Sequence, residues 1–552
     1  MTDSEIAAEF AAANARARAG DWDAAIAHYR ALIAAAPGFA PARVNLAATL
    51  LATRKAAEAE NAAAEATRLF PAFAAAWAVR GEAALADARP AAAEDAFARG
   101  LALGADAGLA AKRAAALCAQ GRHAEARVAF AQARALAPGD AGIASAALFA
   151  DHYAPEGTPA AALAAARAWP NPAPGAARPR PRDPDPERRL RVGYASPDFA
   201  NHSCSYFLAP LLAAHDRGRV EIFAYADVTA PDGVTVAFRS LDLVWRDMRG
   251  LDDTAFAARV RADGIDVLID CAGHTTGNRL GAFARRPAPV QATWLGYPGT
   301  TGLDVFDARL VDDETDPPGA CASEPLTRIP GGFLAYLPPP YAPVPGPSPI
   351  ARNGYVTFGS FNNLPKLDAR TLDLWARVVA AVPGARLTIK ARGLDEAPTA
   401  ARVRAALAAG GLDPSRVDIL GFVDGVAAHI ALYDRIDVAL DPLFYNGTTT
   451  TCEALWMGVP VVSLAGDRHA ARVGASLLTR AGLADLVADT PDAYVARAAT
   501  LAGDRARLAE LRAGLRARLA ASALCDGPRL ARAFETVYRD LWRRVVSDAA
   551  MV

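Results

Sequence analysis

The chain contains 552 residues, of which 53% are hydrophobic and 22% charged, so it has enough apolar material for roughly three to four domains and is not a disordered protein. Its 59 basic and 60 acidic residues leave a formal net charge of −1, which argues against a large nucleic-acid interface. The six cysteines form no CxxC pair, and no apolar run has signal-peptide or membrane length. These features predict a soluble cytoplasmic protein without a membrane partner.

The first 150 residues contain an internal repeat. Small residues recur at intervals of 34, 34 and 33, at Ala25, Ala59, Ala93 and Ala126. Four residues later come Tyr29, Ala63, Phe97 and Phe130, and twelve residues later come Pro37, Pro71, Ala105 and Pro138. A small residue, a larger residue and a helix-ending proline at this period resemble the tetratricopeptide repeat. We therefore expect an α-helical superhelix over residues 1–150 whose groove binds a protein or peptide, the alternative being a plain alanine-rich bundle.

Proline-rich segments divide the remaining chain. Residues 151–187 are rich in proline and predict a stiff linker without helix or strand. A second such segment, residues 338–347, separates two later regions. The predicted domains are therefore residues 188–350 and residues 351–552.

Both later regions alternate short β-rich runs with helical stretches, which is typical of parallel sheets built from βαβ units. The predicted strands are Leu190–Ala195, Val220–Tyr225, Val267–Asp270, Val290–Leu295, Tyr355–Phe358, Leu387–Ala391, Val417–Leu420, Val438–Leu440 and Val459–Leu464. Two Rossmann-like halves of this kind would face each other across a cleft at the carboxyl ends of their strands. We expect a C-terminal helix, Leu530–Val546, to pack back across the joint.

The usual cofactor motifs are missing. The chain has no GxGxxG after its first strand and no GxxxxGK[ST]. Asp-x-Asp occurs only in the repeats and the linker, so a metal-clamped pyrophosphate site is unsupported. We expect no metal and no cofactor, and phosphate bound by backbone amides and side chains.

Four polar turns after predicted strands hold the candidate site residues, because function gathers at strand ends in such folds. They include Asp198 to His202, Asp270 to His274, Asn362 to Lys366, and Asn446 to Glu453. Gly447 and four threonines open a helix whose N–H groups suit a phosphate, whereas capping alone needs only one threonine. Lys366 is notable because all but four of the 59 basic residues are arginine. Lys390, at a strand end, is an intermediate case, and His202, His274, His429 and His469 also lie in turns or at helix starts.

Taken together, these motifs resemble the O-linked N-acetylglucosamine transferase family in its bacterial form. The matching stretches are Arg191-Val192-Gly193-Tyr194, Trp294-Leu295-Gly296-Tyr297-Pro298-Gly299-Thr300, Phe361-Asn362 with Lys366, and Asn446-Gly447-Thr448-Thr449-Thr450. The resemblance covers most of residues 1–545. It implies the GT-B fold and inverting, metal-independent transfer of a sugar, expected to be GlcNAc from UDP-GlcNAc, to Ser or Thr of a protein that the repeats recruit.

The resemblance also implies residue roles. Lys366 would neutralise the leaving diphosphate, and His202 would lie near the acceptor as a candidate general base. Substrate binding would involve Asn363, Thr448, Thr449, Thr450, Glu453, His429, His274, Gly296, Pro298 and Thr300. Among these, Thr449 and Thr450 would hold the pyrophosphate, Glu453 the ribose and His429 the uracil, while Gly296, Pro298 and Thr300 would belong to the sugar pocket.

Several positions depart from the pattern that the resemblance implies. Thr448 replaces a histidine, Val426 a lysine, Pro365 a tyrosine and His274 another tyrosine. The donor sugar is therefore open, and flagellin modification with a nonulosonic acid is an alternative. A scaffold without turnover and a nucleotide-sugar epimerase are further alternatives.

Overall fold

The computed structural model describes residues 1–550, as a helical array followed by two parallel α/β domains. This architecture confirms the predicted fold class. Among the described residues, no helix combines the length and the apolar character needed to cross a bilayer.

The array consists of nine helices that follow the predicted period. They are α1 (Asp3–Arg18), α2 (Trp22–Ala35), α3 (Ala40–Ala52), α4 (Ala56–Leu69), α5 (Ala74–Ala86), α6 (Pro90–Leu103), α7 (Ala107–Cys118), α8 (His123–Leu136) and α9 (Ala141–Asp151). The four recurring alanines lie buried in α2, α4, α6 and α8. Gly81 shows why the pattern needs small residues, because a Cβ there would lie 2.3 Å from the ring of Phe97.

The linker is less extended than its composition predicts. Residues Pro159–Arg167 form helix α10, with Pro159 in the first turn, where a missing N–H costs nothing, and Thr158 capping the helix. Trp169 Nε1 then donates to Ala141 O at 3.1 Å and to Ser145 Oγ at 3.0 Å. The prediction of a helix-free linker over residues 151–187 was therefore wrong, because proline at a helix start favours the helix.

The first α/β half is a seven-stranded sheet in the order β3-β2-β1-β4-β5-β6-β7, parallel throughout. Its strands are β1 (Leu190–Ser196), β2 (Val220–Ala226), β3 (Val244–Asp247), β4 (Val267–Asp270), β5 (Val290–Thr293), β6 (Ala308–Val311) and β7 (Leu326–Arg328). Its helices are α11 (Ser205–Ala214), α12 (Gly233–Arg239), α13 (Asp253–Asp263) and α14 (Leu280–Ala284). The sequence did not predict β3, β6 and β7, which have three or four residues each.

The second half is a six-stranded parallel sheet in the order β10-β9-β8-β11-β12-β13. Its strands are β8 (Thr357–Ser360), β9 (Arg386–Lys390), β10 (Val417–Leu420), β11 (Val438–Leu440), β12 (Val461–Leu464) and the unpredicted β13 (Val487–Ala488). Its helices are α15 (Ile350–Asn353), α16 (Ala369–Ala380), α17 (Ala397–Ala409), α18 (Val426–Ala431), α19 (Thr449–Trp456), α20 (Val473–Arg480), α21 (Pro491–Gly503) and α22 (Arg505–Ala520).

The last helix, α23 (Gly527–Ala550), returns to the first half. Tyr538 and Tyr194 share a hydrogen bond of 2.8 Å between their hydroxyls, and Trp542 Nε1 donates to Asp185 O at 3.0 Å. The helix therefore joins the two halves, as expected, although it follows the second half in sequence.

Candidate functional site at the sheet switch points

The strand orders bring the four predicted turns together in two pairs, one pair at each sheet. In each sheet the order reverses beside its first strand, between β1 and β4 in one half and between β8 and β11 in the other. Ligands bind parallel sheets at the carboxyl ends of strands at such switch points. The turns that contain His202 and His274 follow β1 and β4, while those that contain Lys366 and the threonine run follow β8 and β11.

The threonine run forms the start of α19. Thr449 is the first helical residue, so the N–H groups of this turn have no partner within the helix. Thr450 Oγ1 donates to Asn362 Oδ1 at 2.9 Å, and Thr449 Oγ1 lies 3.4 Å from Ser203 O of the first half. A Cβ at Gly447 would lie 2.5 Å from Thr450 Oγ1, so only glycine permits this turn. The helix start therefore faces the other half with its donors.

Lys366 lies beside this helix start in a short 3₁₀ turn after β8. Its Nζ donates to Asn446 O at 2.8 Å and lies 4.2 Å from the centre of the Tyr445 ring. Burial lowers the pKa of Lys366 to about 8, while the Asp441 carboxylate acts in the opposite direction. Burial also raises the pKa of Asp441. The arrangement supplies one cation at the point where the helix supplies free amides.

A second cluster lies one turn further into α19. Glu453 Oε2 lies 3.2 Å from His429 Nε2 and accepts a hydrogen bond of 3.2 Å from the Tyr433 hydroxyl. His429 Nδ1 in turn lies 3.1 Å from Lys390 Nζ at the end of β9. Burial lowers the pKa of Lys390. The sequence marked Lys390 only as an intermediate case, and its signal was that lysine is rare in this chain.

His202 lies at the edge of the first half, with its side chain 50% exposed. Its Nδ1 lies 3.4 Å from Asp198 Oδ2 and accepts from the Cys204 backbone N–H at 3.2 Å. Ligand atoms of Asp198, His202 and Cys204 lie within 4.8 Å of one another. Burial raises the pKa of the Cys204 thiol well above its usual range.

Two predicted site residues have surroundings that the sequence did not indicate. His274 is buried, its Nδ1 bonds Ser145 Oγ of α9 at 2.9 Å, and its Nε2 bonds Thr301 O at 2.9 Å. Burial lowers its pKa to about 4. The Nδ1 contact joins the array to the first half, and the Nε2 contact lies within the first half. Asn363 is exposed, and its neighbour Asn362 is the residue that contacts the threonine run.

The remaining predicted residues are Gly296, Pro298 and Thr300 of the first half. A Cβ at Gly296 would lie 2.2 Å from Cys271 O, so this glycine is required by packing. The Thr300 hydroxyl donates to Glu324 Oε2 at 2.7 Å. Pro298 and Thr300 line a cavity of about 470 Å³ between the array and the two halves. Lys366 and the threonine run do not line this cavity.

An aromatic stack connects the array to Lys366. The rings of Tyr153, just after α9, and Tyr445 are stacked with centroids 5.3 Å apart. On its other side Tyr153 stacks on His123 of α8 at 5.8 Å. A Cβ at Gly121 would lie 2.9 Å from Leu367 O, which places the α7–α8 turn directly against the turn that contains Lys366. The sequence could not show that the repeats take part in this wall.

The chain is similar to known proteins in sequence and in fold. The model of glycosyl transferase family 41 matches residues 179–335 and 351–533, and a tetratricopeptide repeat model matches residues 16–83. A solved structure of a Thermobaculum terrenum O-GlcNAc transferase mutant is similar, with a TM-score of 0.87 and 35% identity over 92% of this chain and 98% of that one.

Curated relatives are similar over the α/β region. The probable UDP-N-acetylglucosamine–peptide N-acetylglucosaminyltransferase SPINDLY of Oryza sativa subsp. japonica is 44% identical over 363 residues, 65% of this chain and 39% of that protein. The UDP-N-acetylglucosamine–peptide N-acetylglucosaminyltransferase of Caenorhabditis elegans is 27% identical over 482 residues, 65% of this chain and 41% of that protein. The chain thus matches about two fifths of the length of these relatives.

Proposed function

The chain belongs to glycosyl transferase family 41, and from this premise we propose that it is a protein O-glycosyltransferase that transfers GlcNAc from UDP-GlcNAc to Ser or Thr of a protein acceptor. The observation that carries the proposal is the meeting of Lys366 with the start of α19. An ammonium group and free helix amides at a switch point form a site for a diphosphate. On the opposite half, the half-exposed His202 precedes Ser203, whose carbonyl oxygen lies 3.4 Å from Thr449 Oγ1.

The proposed reaction is a single displacement with inversion. The acceptor hydroxyl oxygen forms a bond to the anomeric carbon as the bond from that carbon to the phosphate oxygen breaks. The acceptor proton passes to His202, and the electron pair leaves with the diphosphate. Lys366 and the amides of Thr449 and Thr450 stabilise the charge that develops there. Because these groups supply the positive charge, the reaction proceeds without a metal.

The first repeats of the array are the proposed recruiting surface for the acceptor, because a superhelix offers an extended groove to peptide segments. We also assign the protein to the cytoplasm, because its six cysteines are free thiols.

The test is a binding panel followed by a transfer assay. Thermal unfolding of the purified protein is measured with UDP, UDP-GlcNAc, UDP-glucose, CMP and a CMP-linked nonulosonic acid. A ligand at 100 times its Kd should stabilise the protein by about 2.7 kcal/mol. We expect stabilisation by UDP and UDP-GlcNAc, and a mass increase of one GlcNAc on an acceptor protein. A response to the cytidine compounds alone would favour flagellin modification, and no response would favour a scaffold.

A further inference from the structure

The four lysines of the chain fall into two pairs with different surroundings. In the array, Lys55 pairs with Asp23 at 3.3 Å and Lys112 pairs with Glu82. In the second half, no carboxylate of residues 1–548 lies within 4.0 Å of the ammonium of Lys366 or Lys390. Lys390 is only 8% exposed. A buried ammonium without a counter-ion is costly unless other groups complete its hydrogen bonds.

The contacts of Lys390 leave part of its donor capacity unused. An ammonium only donates, so its contact of 3.1 Å with His429 Nδ1 requires a lone pair on that nitrogen. With Nδ1 as the acceptor, Nε2 is the nitrogen that donates to Glu453 Oε2. Across the described part of the chain, this is the only hydrogen bond of the Lys390 ammonium, so two of its three N–H groups are free for a ligand.

The position of Lys390 indicates which part of a ligand it meets. Moving away from the start of α19, where the diphosphate is proposed to bind, the next polar groups are Glu453, then His429, then Lys390. Phe422 lies beyond, with its ring 5.9 Å from the Lys390 ammonium. The resemblance implies that Glu453 binds the ribose and His429 the base, and Lys390 is the next side chain in this series of contacts.

We propose that Lys390 determines base specificity by donating a hydrogen bond to the carbonyl oxygen at position 4 of uracil or position 6 of guanine, an inference that rests on the proposed function. Uracil carries a carbonyl oxygen at position 4 and guanine at position 6, where cytosine and adenine carry an amino group. An amino group at this position is a hydrogen-bond donor, so it cannot accept a hydrogen bond from the Lys390 ammonium. The site therefore selects nucleotides of uracil or guanine over those of cytosine or adenine.

The test is calorimetric titration of the full chain with UDP, GDP, CDP, ADP and inorganic pyrophosphate. One base contact is worth about 1–3 kcal/mol, so the wild type should bind UDP or GDP at least about fivefold more tightly than CDP and ADP. Lys390→Met should remove this preference and leave the affinity for pyrophosphate unchanged. Lys390→Arg, which keeps a cationic donor, should retain the preference. Lys366→Met should weaken all five ligands together.

The outcomes separate this inference from the proposed function. If Lys390→Met keeps the base preference, or weakens pyrophosphate as much as UDP, the base-recognition role is overturned while the proposed function stands. If no nucleotide binds the wild type, both are overturned. Thermal unfolding of each variant without ligand shows whether the protein is folded. If Lys390→Met is unstable, the base preference of Lys390→Arg is the second measurement, and its loss would overturn the role of a cationic donor.

Discussion

The two ends of the repeat array make different kinds of contact. In the first repeats, polar side chains bond to one another: Asn14 accepts from the Tyr29 hydroxyl at 2.6 Å and from the Asn45 amide at 2.7 Å. Charged residues of α1 to α4 likewise pair within the array, as Lys55 does with Asp23. The named contacts at this end therefore lie within the array.

The last repeats instead contact the α/β halves. The Ala91 and Ala92 N–H groups donate to Glu396 of the second half, both at 2.9 Å. Ser145 bonds His274 of the first half, and Tyr153 stacks on Tyr445 beside Lys366. The array thus combines an end whose contacts lie within the repeats with an end that is part of the site wall. Deleting residues 1–150 would remove both, so point substitutions are needed to separate them.

The largest expected effect on transfer comes from replacing Lys366, with Lys112 of the array as the control. Lys366→Met should reduce transfer by about 10²–10³-fold, because it removes a donor that stabilises the leaving diphosphate. Lys112→Met, in the array, is the matched control and should leave transfer unchanged, because an exposed ion pair contributes little. Initial rates with a fixed acceptor protein measure both. Transfer by Lys366→Met at the wild-type rate would contradict the assigned role.

The dependence of kcat/KM on pH should also depend on Lys366. The ammonium form of Lys366 is the useful one, and it loses its proton as pH rises through its pKa of about 8. We expect kcat/KM to fall about tenfold per pH unit above that value, since kcat/KM reports the free enzyme. Lys366→Arg should be slower but lack this alkaline fall, because guanidinium stays charged. An unchanged profile in Lys366→Arg would assign the fall to another group.

Tyr153 tests whether the array takes part in the site wall. Tyr153→Ala should lower the rate of donor hydrolysis by up to about tenfold, because an aromatic pair is worth about 0.5–1.5 kcal/mol and here it supports the ring above Lys366. Tyr153→Phe keeps the stack and should behave as the wild type. Hydrolysis without an acceptor is the proper measurement, because acceptor recruitment cannot affect it. Equal rates for both variants would make the stack irrelevant to chemistry.

The smallest effect concerns stability at the two ends. Ser145→Ala leaves His274 Nδ1 buried without a partner, at a cost of about 1–3 kcal/mol, and should lower both the unfolding temperature and donor hydrolysis. Asn14→Ala removes two hydrogen bonds in the first repeats and should lower the unfolding temperature without affecting hydrolysis. Thermal scans and hydrolysis rates on the same samples distinguish them. A loss of hydrolysis in Asn14→Ala would show that the two ends are not separable.

The amino-acid sequence by itself determined the repeats, the parallel α/β halves and the turns that hold the site. The 34-residue period and the β-rich runs are local patterns, and a polar turn after a buried strand can be recognised without knowing its neighbours. The sequence also marked the threonine run and Lys366, because four threonines exceed what capping needs and lysine is rare here. Short edge strands such as β13 carry too few residues for any periodicity.

Only the tertiary structure decided which side chains at those turns meet. Thr450 bonds Asn362, 88 residues away, and not the adjacent Asn363, because the direction of a side chain depends on how its turn packs. Ser145 and His274 are 129 residues apart, and their contact places a predicted substrate-binding histidine where the array meets the first half. Local patterns place residues on turns, but the strand order and the docking of the array set the distances between turns, and chemistry depends on those distances.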